Sequence, residues 1–291
     1  MHRPANPITE AVDELPYPEL PNIIVAYPSF NDWWHLYDPD KDRGHRRDRE
    51  SFDDMRRHHQ RSVTKLLDCI SHRQTGRAVL AEIRSRPTHN VYILPWDFLQ
   101  LARWRDPGGR PVLAVTGAMD HGGFSFVEAW KKGKPLCQDV HGQVHCYGSG
   151  SHAIIHFTDL RIEEKGGMTR DEALLHELVH ASRHVAGVAY TRSMGTGYRT
   201  QEEFYANTIE NVYRSEKRRG ILLDYGGVVF KAADFFRRTP DSWWSIDRLQ
   251  LDQRELFNTL ANLDPTLVPF DPIREVDRAN RTKAGTANGK R

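Results

Sequence analysis

His176, Glu177 and His180, in the run Leu175-His-Glu-Leu-Val-His-Ala181, are the residues whose types and spacing most directly imply chemistry. If the run is helical, the two histidines stand one turn apart on one face and can present two imidazole nitrogens to one cation at ~2.0–2.1 Å. Glu177 projects beside them, at an angle poor for ligation but suited to taking a proton from a water at an open metal position. Five residues are a modest signal, so their surroundings decide. Leu174, Leu175, Leu178 and Val179 flank the motif and predict a mostly buried helix. Two histidines and a glutamate buried there need strong partners, and a metal ion, Zn2+ for this donor set, is the simplest one.

Such a site needs a third protein ligand. A third His following a Gly shortly after the second ligand, the metzincin arrangement, is absent, because the corresponding positions are Arg183 and Ala186. His184 lies one further turn along the same straight helix and points to the far side, so it is read as a supporting, capping or solvated residue. Downstream, Thr200-Gln-Glu202-Glu203-Phe-Tyr-Ala206-Asn207 begins a second helical pattern that continues through Ile209, Val212 and Tyr213. Either glutamate could complete a His₂Glu site with an open fourth position. The same residues also fit a capping box of Thr200 with Glu203, with Glu202 favoured only by the helix dipole. At about 100° per residue, Glu202 falls near the middle of the stripe formed by Tyr205, Ala206, Ile209 and Tyr213. Periodicity therefore favours Glu202 as the inward group, with Glu203 on its flank.

HELVHA followed by YRTQEEFYAN resembles the catalytic region of the gluzincin-type zinc metallopeptidases that bacteria deliver as effectors and toxins, anthrax lethal factor among them. The resemblance covers about residues 148–227. It implies zinc held by His176, His180 and Glu203, because the family's ligand Glu opens a Glu-aromatic-aromatic-Ala segment, here Glu203-Phe204-Tyr205-Ala206; Glu202 is the runner-up. It also implies that Tyr198, nearer to the Glu than its counterpart in lethal factor, donates to the oxyanion of the reacting carbonyl. The implied activity is peptide-bond hydrolysis in a protein substrate of a host or competitor cell. The implied partners are that substrate and an immunity protein or secretion chaperone, and the implied route runs from the bacterial cytoplasm to export. A deuterolysin-like enzyme would share Gly195-Thr196, but its ligand Asp is missing. Two other readings stand beside this one: a housekeeping or processing metallopeptidase with a similar core, and a non-catalytic binding domain with a structural metal. Glu177 argues against the last, since a structural site needs no base beside an open position.

The elements that must position these residues are signalled locally. Thr169 with Glu172 is a capping box and Gly187 supplies a left-handed end, which together predict a helix of four to five turns around the motif. Before it lie strand-like segments, VYIL from Val91, PVLAVTG and AIIHFT, and after Met168 the pattern turns helical. This order predicts an α+β, zincin-like domain with a small mixed or antiparallel sheet packed against the motif helix and a second ligand-bearing helix. Ala153–Phe157 is either an edge strand that binds an extended substrate by strand addition or an ordinary core strand. His141-Gly142 can form a two-residue turn that sets Cys137 opposite Cys146 in a non-hydrogen-bonded pair, where Cα atoms approach to ~4.5 Å, within disulfide reach. A disulfide or close thiol pair is expected there, leaving Cys69 free; a Cys/His metal cluster is the alternative. A disulfide would favour an exported protein.

Composition bounds the rest. The 291 residues predict one domain over 22–275, with disordered tails at 1–21 and 276–291. A net charge of +2 from 41 basic and 39 acidic residues points to no nucleic-acid partner. Mean hydropathy of −0.66 predicts that part of the chain is solvated. The mixed-sign stretch from Asp38 to Arg61 reads as a solvated loop entering an amphipathic helix through Val63, Leu66, Leu67 and Ile70. No N-terminal apolar region and no run near ~20 apolar residues is present, so neither a Sec-type signal nor a membrane span is expected.

Overall fold

The computed structural model describes residues 12–28, 49–95, 114–118, 136–140, 143–147, 150, 152–157, 167–189, 194, 198, 200–222, 229–239 and 241–288. Its strands are β1 (Val12–Tyr17), β2 (Leu20–Pro28), β3 (Val91–Pro95), β4 (Ala114–Ala118), β5 (Leu136–Val140), β6 (Gln143–Tyr147), β7 (Ala153–Phe157), β8 (Ile221–Leu222) and β9 (Val229–Phe230). Its helices are α1 (Arg49–Ser71), α2 (Gln74–Arg84), α3 (Arg170–Ala186), α4 (Gln201–Glu216), α5 (Phe235–Arg238), α6 (Ser242–Asp252), α7 (Arg254–Ala261) and α8 (Pro272–Asn288). The class is α+β, with a mixed five-stranded sheet in the order β1-β2-β3-β7-β4.

Strands β2, β3 and β7 run parallel, and β1 and β4 pair antiparallel at the two ends. A parallel pair needs a long crossover, and the one from β2 to β3 carries α1 and α2. Consecutive Ile23, Ile24, Val25 and Ala26 are all buried, as expected of a strand covered on both faces. Alternation divides them. Ile23 and Val25 enter the main core with Val91, Ile93, Ile155 and the helices, whereas Ile24 and Ala26 join Leu94 in a small cluster on the other face. Val63, Leu67 and Ile70 seat α1 on the main core, with Leu66 half-buried at its margin.

One open alternative is decided and two expectations change. Ala153–Phe157 is interior rather than an edge, since β7 pairs with β3 on one side and β4 on the other. Among the described residues β4 is the terminal strand, and α3 packs against both β4 and β7. The expected N-terminal tail contains β1, tied down by its ladder to β2 and by the Tyr17 hydroxyl, which donates to Asp68 at 2.9 Å. The expected C-terminal tail is largely the helix α8. Its composition is tail-like because its apolar anchors lie at its start: Ile273 and Val276 are fully buried, and the Asp271 carboxylate accepts the Ile273 and Arg274 amides at 3.0 and 3.2 Å, while polar contacts such as Asn280 donating to Asp247 at 2.7 Å hold it further along. Arg274 in turn pairs with Asp271 at 3.2 Å and donates to the Leu263 carbonyl at 3.0 Å. Removing Asp271 deletes a helix cap and strands a buried guanidinium, so Asp271→Ala is expected to cost about 3 kcal/mol, read as a lower urea midpoint.

The β5–β6 ladder has the expected register, Val140 opposite Gln143 and Cys137 opposite Cys146. The turn residues 141 and 142 lie outside the described residues. Cys69 is exposed and free. After oxidation by a small-molecule disulfide, thiol titration of the unfolded chain is expected to find Cys69 reactive and Cys137 and Cys146 protected. Among the described residues no helix is long and apolar enough to cross a membrane.

Candidate metal centre

The helix α3 starts and stops where its caps predict. The Glu172 carboxylate accepts the Thr169 amide at 2.9 Å, and Gly187 closes the helix with φ 72°. Leu174, Leu175, Leu178 and Val179 are fully buried, which favours this docking by roughly 6–12 kcal/mol at 1.5–3 per side chain. The second helix, α4, is capped by Thr200, whose hydroxyl accepts the Glu203 amide at 3.3 Å. Its C-terminal end serves another element: Glu216 accepts the Gln74 and Thr75 amides at 2.7 and 3.0 Å, closing the first turn of α2.

Helices α3 and α4 lie antiparallel, and polar contacts run along their seam. Glu172 pairs with Arg214, His176 with Glu210, His176 and His180 with Glu203, and Arg183 with Glu202. In the middle of this seam three ligand atoms converge, the two histidine Nε2 atoms and Glu203 Oε2. A tetrahedral ion held ~2.0–2.1 Å from each ligand separates the ligand atoms by about 3.3–3.4 Å, and the triangle here measures 3.2, 3.3 and 3.6 Å. The donor set therefore fits a metal ion, and His176, His180 and Glu203 could hold one. His176 is almost sealed, with 3% of its side chain exposed, whereas Glu203 is 27% exposed, so the group opens on the Glu203 side.

Charge at the group favours a cation. Burial alone would push the His176 imidazole down, but the Glu203 and Glu210 carboxylates at its ring nitrogens, with Glu177 nearby, raise it to about 10. Burial would raise Glu203, yet its hydrogen bonds with His176 and His180 hold it well below the usual carboxylate range. Glu210, 1% exposed, lies 3.1 Å from His176 Nδ1. With Nδ1 donating to Glu210, Nε2 is the nitrogen that faces the triangle, and a bound cation there would take the place of its proton. Sequence reading missed Glu210, although a signal was present: it lies seven residues after Glu203, two turns along the same face of α4.

The other candidates fall as follows. Glu177 is buried beside His176, outside the ligand triangle. Glu202 is inward, as periodicity predicts, but its carboxylate accepts from Arg183 Nε at 2.7 Å rather than joining the triangle. Tyr198 is buried with its ring edge-on to Phe204, centroids 5.2 Å apart, and so packs on the residue next to Glu203. His184 is not in the converging group; burial, then the charges of His180 and Arg183, push its imidazole down to about 3 and keep it neutral. Gly195 and Thr196 lie outside the described residues. The chain matches no family model, no curated protein and no solved structure.

Proposed function

We propose that this chain is a zinc-dependent metallopeptidase that hydrolyses peptide bonds in a protein substrate. The observation that carries the reading is the convergence of His176 Nε2, His180 Nε2 and Glu203 Oε2 at ion-binding separations, with the buried carboxylate of Glu177, the residue after His176, close enough for its charge to act on His176. Zinc at these atoms supplies a Lewis acid for a water and a peptide carbonyl. Glu177 takes the attacking water's proton and returns it to the leaving amine. Glu210 holds His176 in the tautomer and orientation that ligation needs. Tyr198 donates to the oxyanion of the carbonyl under attack. Strand β4, terminal in the sheet among the described residues and packed against α3, rather than β7, receives the extended substrate by strand addition.

The ligand assignment has its own test. Glu203→Ala, which deletes a ligand, is expected to retain no stoichiometric zinc after dialysis, whereas Glu202→Ala is expected to bind zinc still once folded, weakened by no more than about 10–100-fold. Equilibrium dialysis followed by metal analysis reads both. Zinc lost from Glu202→Ala and kept by Glu203→Ala would reverse the assignment. Delivery as a bacterial effector or toxin, without a Sec-type signal, rests on the resemblance of HELVHA and YRTQEEFYAN. Expression inside a target cell tests it: the wild type, and not Glu177→Ala, should be toxic.

A further inference from the structure

We propose that Arg183, with Glu202, Asp252 and Gln253, is a positioning device that sets the register of α4 against α3 and thereby the place of Glu203; this rests on the metal-ligand reading above. Arg183 is completely buried. Its Nε donates to Glu202 at 2.7 Å, Nη1 to Gln253 at 3.1 Å, and Nη2 to the Val188 carbonyl at 2.9 Å and to Asp252 at 3.3 Å. The plane of the fork is fixed as well, with its central carbon 4.1 Å from the centroid of the Tyr205 ring. All three nitrogens are engaged, so the guanidinium has one orientation.

The position of this hub gives it a consequence beyond packing. Arg183 follows the ligand His180 by three residues on α3, and Glu202 immediately precedes the ligand Glu203 on α4. The 2.7 Å bond between them thus joins the two helices next to the point where each contributes a ligand. An apolar contact there would hold the helices together but let them slide. A directed fork with charged acceptors fixes register, and a buried ionic group is otherwise weak evidence of stability. The remaining donors reach Asp252 and Gln253, at the junction of α6 and α7. Gln253 continues the link, donating to Glu82 on α2 at 3.3 Å and to Ser182 on α3 at 3.4 Å. The C-terminal helices therefore reach the ligand triangle through side chains about seventy positions away in sequence.

The test compares wild type with Glu202→Gln, Asp252→Asn and Arg183→Lys, and with Asp271→Ala as a control destabilised at the remote start of α8. Zinc affinity is read by competition with a chromophoric chelator, and ligand geometry by visible absorption of the cobalt(II)-loaded protein, at a temperature where circular dichroism shows each protein folded. The hub variants are expected to bind zinc about 10–100-fold more weakly and to shift the cobalt bands, as changes to groups that orient ligands do. Lysine should not rescue, since one ammonium cannot reproduce the fork. Asp271→Ala should keep wild-type affinity and bands. If Arg183→Lys does not fold, the near-isosteric Glu202→Gln and Asp252→Asn carry the comparison. Folded hub variants with wild-type affinity and spectrum would overturn the proposal, as would an equal loss in Asp271→Ala. A wild type that takes up neither metal overturns the metal-ligand reading itself, and this proposal with it.

Discussion

Glu177→Gln is expected to lower peptide hydrolysis by a factor on the order of 10²–10⁴, the usual contribution of a positioned general base, while zinc content stays at the wild-type level. Glutamine keeps the size of the side chain and cannot take a proton from water near neutral pH. Metal retention follows from geometry, because the three converging atoms belong to His176, His180 and Glu203. The measurement pairs hydrolysis of an unstructured protein substrate with metal analysis of the same preparation. Full activity in the variant would remove Glu177 from its role. Loss of both activity and zinc would make Glu177 a support of the metal group instead.

The second large effect is on stability. Arg183→Ala is expected to cost about 3–5 kcal/mol, the range for removing one partner of a buried ion pair, from a total of about 5–15 kcal/mol for a typical domain. The loss comes less from the missing guanidinium than from what it leaves. Glu202 would remain buried, its side chain 9% exposed, without its Arg183 partner, and Asp252, 2% exposed, would keep only the longer 3.4 Å contact to Arg248. Glu202→Gln should cost less, because the amide oxygen still accepts from Arg183 Nε. Urea unfolding followed by circular dichroism orders the variants; an Arg183→Ala midpoint equal to wild type would refute this account of the hub.

The parts of the molecule legible in sequence were those set by local chemistry. Helix α3 could be read because Thr169, Glu172 and Gly187 mark its ends and four aliphatic residues mark its buried side. The register of Cys137 and Cys146 followed from a two-residue turn, which fixes hairpin pairing without help from distant segments. The choice between Glu202 and Glu203 resisted periodicity for a physical reason. Both side chains meet α3, one at Arg183 and the other at His176 and His180, so facing inward does not distinguish a ligand from an ion-pair partner. Glu210 could have been found from its seven-residue spacing to Glu203, but a supporting carboxylate belongs to no short motif. The interior place of β7 and the terminal place of β4 depend on pairings between segments far apart in sequence, which strand composition does not encode. Helix α8 was obscured because a few anchoring residues, Asp271, Ile273 and Val276, open a stretch that is otherwise polar.

We propose that His176, His180 and Glu203 hold one zinc ion. The most direct test is zinc-edge X-ray absorption on purified, dialysed protein, with total metal analysis of wild type, His176→Ala, His180→Ala and Glu203→Ala. Stoichiometric zinc is expected in wild type, coordinated by two imidazole nitrogens and carboxylate oxygen at ~2.0–2.2 Å, with loss of that zinc in each variant. Wild type without stoichiometric zinc, or zinc that survives all three substitutions, would contradict it.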